Sequence, residues 1–191
     1  MAVTKRVVIK KDRTDEVMRQ IQALVERQVL VGIPESTTDR DDGSDVTNAQ
    51  IGYVQETGDP SRNLPARPFL EPGVEDAKDV CAAQLKAASQ SALRGDTARR
   101  DAHLSDAGIL GANSVKRRIN SNIPPPLAPS TIRNRAKQRG TKSRASERAY
   151  LKMVDQGASP ADAQAETGIV ALVNSGELRN SITSVVRKTR E

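Results

Sequence analysis

Apolar residues fall along this chain in short groups whose spacing changes from a period of two to a helical period and back. "KRVVIKK" (5–11) is β-branched and predicts a strand. In "TDEVMRQIQALVERQ" (14–28), Val17, Met18, Ile21, Leu24 and Val25 recur at helical spacing and define one apolar face. Thr14 can cap that helix, and Asp15 and Glu16 stand where the helix dipole favours negative charge. "QVLVGI" (28–33) reads as the next strand, ended by Gly32 and Pro34, so the opening is strand, helix, strand. At the other end, Ile182, Ser184 and Val186 alternate with Thr183, Val185 and Arg187, the period of a strand near 181–187.

The middle of the chain is helical in pattern. "TNAQIGYVQETG" (47–58) predicts a helix capped by Thr47 or Asn48 and closed by Gly58. Residues 73–95 carry Val74, Ala77, Val80, Cys81, Leu85, Ala88 and Leu93 on one stripe and are expected to form the longest helix. The polar stretch 96–108 reads as a linker or short turn, and 106–122 as another helix. Ser130 can cap a short basic helix, and 146–168 resembles two small helices joined at "GASP", with Ser159 as cap and Pro160 in the first position. The fold class expected is α+β in a single domain over 1–191. A small, mostly antiparallel sheet (strands near 5–11, 28–33 and 181–187) is flanked by helices.

Two proline-rich stretches interrupt this pattern. "NLPARPFLEPG" (63–73) holds the only phenylalanine, Phe69, and proline biases Leu64, Arg67 and Glu71 away from helix. The arm 59–73 is therefore expected to be stiff and extended, presenting Phe69 and Leu70. The second stretch, "IPPPLAPSTIRNRAKQRGTKSRAS" (123–146), begins a basic extended and helical insertion over about 123–168. Pro65, Arg67, Pro68, Phe69 and Leu70, with Pro125, Pro126 and Leu127, are the candidate docking residues for a subunit or partner. Two readings of Phe69 stand side by side: it anchors in a groove, or it plugs the core of its own chain.

Composition sharpens the picture. Of 191 residues, 36% are hydrophobic and 28% charged, and the aromatics are Tyr53, Phe69 and Tyr150, so large core-filling side chains are scarce and neighbouring subunits are expected to supply part of the order. Residues 1–90 carry 12 Lys/Arg against 15 Asp/Glu, residues 91–191 carry 18 against 9, and the whole is +6. Such polarity suits self-association or contact with nucleic acid. Arg133, Arg135, Lys137, Arg139, Lys142, Arg144 and Arg148 form the densest basic run, able to meet phosphates, a DNA channel or acidic partner loops. Only Tyr150 lies near it for base stacking, so DNA binding through it would be independent of sequence.

Catalytic and metal chemistry find little support. The acidic loop 34–48 fails as a calcium loop, because a register from Asp39 places Ser44 and Gln50 where Gly and a bidentate Glu are needed. Cys81 is alone, which excludes an internal disulfide and a Cys-based zinc site, and His103 has no second histidine. No GxSxG, HExxH or GxGxxG occurs, and "QRGTKS" lacks the upstream glycine of a phosphate loop. The expectation is no enzyme, no cofactor and no metal. No apolar run approaches the ~18 residues of a membrane span, and no signal-peptide core is visible, so a reducing cytosol, or a particle assembled there, is expected.

Three stretches, in order, carry a resemblance. "AQIGYVQETGDPSRNLPARPFLEPG", "PPPLAPSTIRNR" and "ALVNSGELRNSITSVVR" resemble the signature segments of the neck and tail-completion proteins of tailed bacteriophages. In that family a helix ends near Glu-x-Gly before a PARPFL arm, a PPL-(S/A)-P-(S/A)-T segment follows, and the C-terminus holds an L-x-x-(T/S)-G-x-L-x-x-SI turn and strand. "YLKMVDQGASPADAQAETG" is similar to an insertion in some members. Asn174-Ser175 departs from the usual Asp-Thr but keeps turn-forming chemistry. The resemblance implies a structural virion protein, assembled in the host bacterial cytoplasm, forming a six-fold or twelve-fold ring in the neck that joins head and tail. Its implied partners are copies of itself, the head–tail adaptor, the tail terminator and passing DNA, with no membrane. A tail terminator or minor tail component fits nearly as well, and a non-specific DNA-binding protein is the alternative from another class.

Overall fold

The computed structural model describes residues 14–34, 46–137 and 144–189. The strand expected over 5–11 and most of the acidic loop lie outside the described residues. What remains is α+β: nine α-helices and a two-stranded antiparallel sheet.

Helix α1 (Thr14–Val25) leads directly into strand β1 (Arg27–Gly32). Strand β1 pairs with β2 (Thr183–Lys188) from Arg27↔Lys188 to Gly32↔Thr183, so both strands fall within a residue or two of expectation. Helix α2 (Asn48–Thr57) starts with a reciprocal capping box, in which Thr47 and Gln50 exchange side-chain-to-backbone hydrogen bonds, and Gly58 closes it at φ 76°.

The proline arm departs from its expected extended form. Residues 65–69 lie in neither helix nor strand, but Leu70–Glu75 form helix α3, with Glu71 helical although Pro72 follows it. Proline is tolerated in a first helical turn, where its missing N–H has no intrahelical partner to lose. The free amides of that turn are answered by Glu56. Its carboxylate accepts from Phe69 N–H at 2.7 Å, Leu70 N–H at 2.9 Å and Glu71 N–H at 3.2 Å.

Two further corrections concern the long helices. The stretch 73–95 is not one helix: the chain turns at Asp76–Ala77 and restarts as α4 (Lys78–Leu93). The longest helix is α5 (Thr97–Asn120), which absorbs the supposed linker 96–108. Asp96 caps it by accepting from Arg99 N–H at 3.0 Å. Its buried stripe includes Arg100, Leu104, Ala107, Gly108, Gly111, Ala112, Val115 and Ile119, and before Ala107 it is only Arg100 and Leu104, which is why the first half reads as polar.

The glycines of that stripe let α5 lie directly on the sheet. A Cβ at Gly108 would stand 2.7 Å from Ser184 Oγ and 3.1 Å from Val29 Cγ1, and one at Gly111 would stand 3.0 Å from Val31 Cγ2. Val29, Val31 and Ser184 therefore face α5, and the Leu30–Val185 pair faces away.

The C-terminal half builds a second layer. Helices α6 (Pro129–Lys137), α7 (Ala145–Asp155) and α8 (Pro160–Thr167, capped by Ser159) pack around Leu127, Ile132, Tyr150, Ala163, Ile169 and Ala171. The other cluster joins Phe69 to Ala112, Val115, Ile119, Ile123, Leu172, Leu178 and Ile182. Short helix α9 (Glu177–Ser181) occupies the expected polar turn, entered through Gly176 at φ 93°.

Candidate functional site

The three stretches that carry the resemblance lie far apart in sequence and meet in one place. Phe69, 2% exposed, packs with Leu172, Leu178 and Ile182 of the C-terminal stretch. Its backbone N–H is held by Glu56. Of the two readings of Phe69, the structure places it in its own core. Arg67, 4% exposed, is held by its N–H on Gln55 O at 2.7 Å and reaches with its guanidinium to Pro125 O at 2.9 Å. Burial lowers the pKa of Arg67 from its ordinary value. The first proline stretch is thereby fastened to the second.

The other docking candidates divide. Leu127 is buried; its N–H donates to Gln164 Oε1 at 2.7 Å and its carbonyl accepts from Tyr150 Oη at 3.1 Å. Leu70 is half-buried, while Pro65, Pro68, Pro125 and Pro126 are exposed and rim the clasp. These four remain available to a partner.

The basic run divides in the same way. Arg135 does not face outward: its guanidinium donates to the carbonyls of Ala171 at 2.7 Å and of Val170 and Val173 at 3.3 Å. Burial lowers its pKa, Arg144 and Arg67 pull the same way, and Glu147 opposes them. Arg144 is bonded to Glu147 at 3.0 Å and Asn174 at 3.2 Å. Both arginines are thus internal fasteners, which corrects their expected role toward DNA or an acidic partner. Arg133, Lys137 and Arg148 are exposed on α6 and α7, and Arg139 and Lys142 lie outside the described residues.

Beside the clasp lies a polar cavity of about 160 Å³, lined by Gln55, Arg135, Asn174, Ser175 and Glu177 among others. More distinctive is an apolar trough on the far side of Phe69. One part, about 200 Å³, is floored by Phe69 and Ile182 and walled by Ile33, Tyr53 and Leu70. The other, about 430 Å³, runs over the open face of the sheet along Leu30, Val185 and Arg187. The two share Gly32 and Ile33. Tyr53 stands 71% exposed at the rim.

Sequence reasoning missed Glu56 as the residue that holds the arm, although it is the Glu of the Glu-x-Gly that precedes it. It also missed the trough, because nothing in a strand pattern says that the described residues leave one sheet face uncovered. His103 bridges α5 to α4 through Gln84 at 2.8 Å, a packing role. Among the described residues no group of three or more His, Cys, Asp or Glu is placed to hold a metal ion, and no helix is long and apolar enough to cross a membrane. No family model, no curated protein and no solved structure matches the chain.

Proposed function

We propose that this chain is a ring-forming structural protein of a tailed-phage neck, joining head to tail or completing the tail end. The observation that carries the reading is the convergence of the three signature-like stretches. PARPFL, PPPLAPSTIRNR and the ALVNSGELRNSI segment make one clasp through Arg67, Phe69 and Arg135, so the three stretches form a single structural unit. Such a unit presents exposed prolines on a rigid frame, and stiffness lowers the entropy lost when a neighbour docks. A ring joins unlike faces of adjacent copies, and a charge distribution that is acidic over residues 1–90 and basic over 91–191 suits such contacts.

The test is the native mass of the purified protein over a concentration series, with and without duplex DNA. A discrete ring-sized species, indifferent to DNA, is the expected result. A DNA-dependent, salt-sensitive shift without any ring would overturn the reading in favour of a non-specific DNA-binding protein. That second reading rests on the exposed Arg133, Lys137 and Arg148.

A further inference from the structure

Helix α1 has more apolar surface than its own chain covers. Its sequence predicts a single apolar face, yet none of its residues is fully buried. Val17 and Leu24 are half-buried, while Met18 is 60%, Ile21 38% and Val25 73% exposed. These three lie at helical spacing and form a second stripe on the outward side, flanked by Asp15, Arg19 and Glu26. The molecule thus carries an exposed apolar ridge on α1 and an apolar trough beside β1. Both are parts of one rigid chain, since α1 packs on α4 and α4 on α5, the helix that covers the sheet's other face.

Resting on the ring reading, we infer that the α1 ridge of one copy docks into the trough of the next, and that this head-to-tail contact closes the ring. Lengths agree. From Met18 to Glu26 a helix advances about 12 Å. Along β1, from Gly32 to Gln28, whose cross-strand partner is Arg187, the trough runs about 13 Å. Charge sign matches as well, with Asp15 and Glu26 flanking the stripe and Arg187 lining the trough. Among the described residues the trough is lined by two charged ones, Glu56 and Arg187, and Glu56 is engaged with the amides of residues 69–71. Neither Arg187 nor Glu26 forms an ion pair with a described residue. Setting Glu26 of one copy against Arg187 of the next places Val25 over Leu30 and Val185, and Met18 over the part of the trough walled by Tyr53. An unbranched methionine suits that irregular hollow. An amphipathic helix laid in an apolar groove is an established mode of association, and unlike contact faces generate rings when the rotation closes.

Gly32 provides a test that spares the fold. A Cβ there meets nothing within 4 Å, and its φ is ordinary, so Gly32→Val fills the floor of the trough without strain. Native mass and thermal unfolding are measured for the wild type, Gly32→Val, Met18→Asp, Glu26→Arg, Arg187→Glu and the double swap Glu26→Arg/Arg187→Glu. The wild type is expected to form the oligomer. Gly32→Val and Met18→Asp keep the wild-type melting temperature or nearly so, yet raise the concentration for half-assembly by about tenfold or more. Each single charge swap weakens assembly and the double restores it. An oligomer indifferent to all these variants overturns the contact and leaves the ring reading standing. Assembly that is lost only on deleting residues 1–13 also overturns it, making that segment the occupant. A wild type that stays monomeric at every concentration overturns this self-association outright. If that monomer also fails to join a neck when mixed with head–tail adaptor, the ring reading falls with it.

Discussion

Removing the ring of Phe69 is expected to cost the monomer about 3–5 kcal/mol, the usual consequence of emptying a fully enclosed aromatic site. Phe69 touches both the helical core and the C-terminal turn, so Phe69→Ala should shift the denaturation midpoint, measured in urea, before any assembly is considered. A variant that unfolds like the wild type but no longer assembles would return Phe69 to a docking role. Glu56 is its companion. Three backbone N–H groups converge on that carboxylate, and Glu56→Ala leaves the first turn of α3 without acceptors. Loss of a cap of this kind costs about 1–2 kcal/mol, and amide exchange at Leu70 and Glu71 should rise with it. Neither role was legible from proline alone. Proline restricts local backbone angles, but whether a stiff segment projects or folds back depends on a carboxylate 13 residues upstream.

At the scale of elements, α5 and its contact with the sheet decide most of the architecture. Alanine is the better helix former by about 1 kcal/mol, so Gly108→Ala would stabilise α5 if the site were open. Contact with Ser184 at 2.7 Å says otherwise, because the helix must lift from β2 or the strand must shift. A net loss of about 1–3 kcal/mol is expected, as for other overpacked sites, and a gain would show that the helix sits less tightly on the sheet. Asp101 ties the same elements together at one end. Its carboxylate accepts from Arg100 at 2.8 Å and from Arg27 of β1 at 2.9 Å, and the Arg100 hydrogen bond above all holds its pKa below the usual value. A lowered carboxyl contributes stability above the ordinary carboxylate value and loses it as the pH falls through the native one. The site is partly exposed, so Asp101→Asn should cost no more than about 1 kcal/mol at pH 7. The gap between variant and wild type should close on acidification. Strands and short caps were readable here because β-branched alternation, Thr47 and Ser159 act locally. The first half of α5 was not, because between Thr97 and Asp106 its buried face is no more than Leu104 and a buried Arg100.

Two apolar clusters form the core among the described residues, and the segment 169–173 serves both. Ile169 and Ala171 turn toward Tyr150 and Ile132, while Leu172 turns toward Phe69. A segment that alternates between cores exposes its carbonyls to neither, and Arg135 meets that need by donating to those of residues 170, 171 and 173. Its position in a basic run is therefore misleading: composition counts a charge, but the fold uses a fork of donors. The clusters should consequently unfold as one unit, with amides of α7 and α8 exchanging at the same opening free energy as those of α5. Arg135→Met keeps the aliphatic stem and removes the donors, leaving the carbonyls of Ala171 and Val173 to find other partners at roughly 1 kcal/mol each, while that of Val170 keeps the Val173 N–H. Helices α6–α8 are then expected to open ahead of α5, by about 2 kcal/mol in hydrogen exchange, while the β1–β2 sheet and the α5 contact keep their protection. Arg67→Met, which cuts the tie to Pro125, should act in the same direction but by less, since it frees a single acceptor. Uniform weakening of all helices would instead make Arg135 a general contributor to stability, with no special role in coupling the two halves.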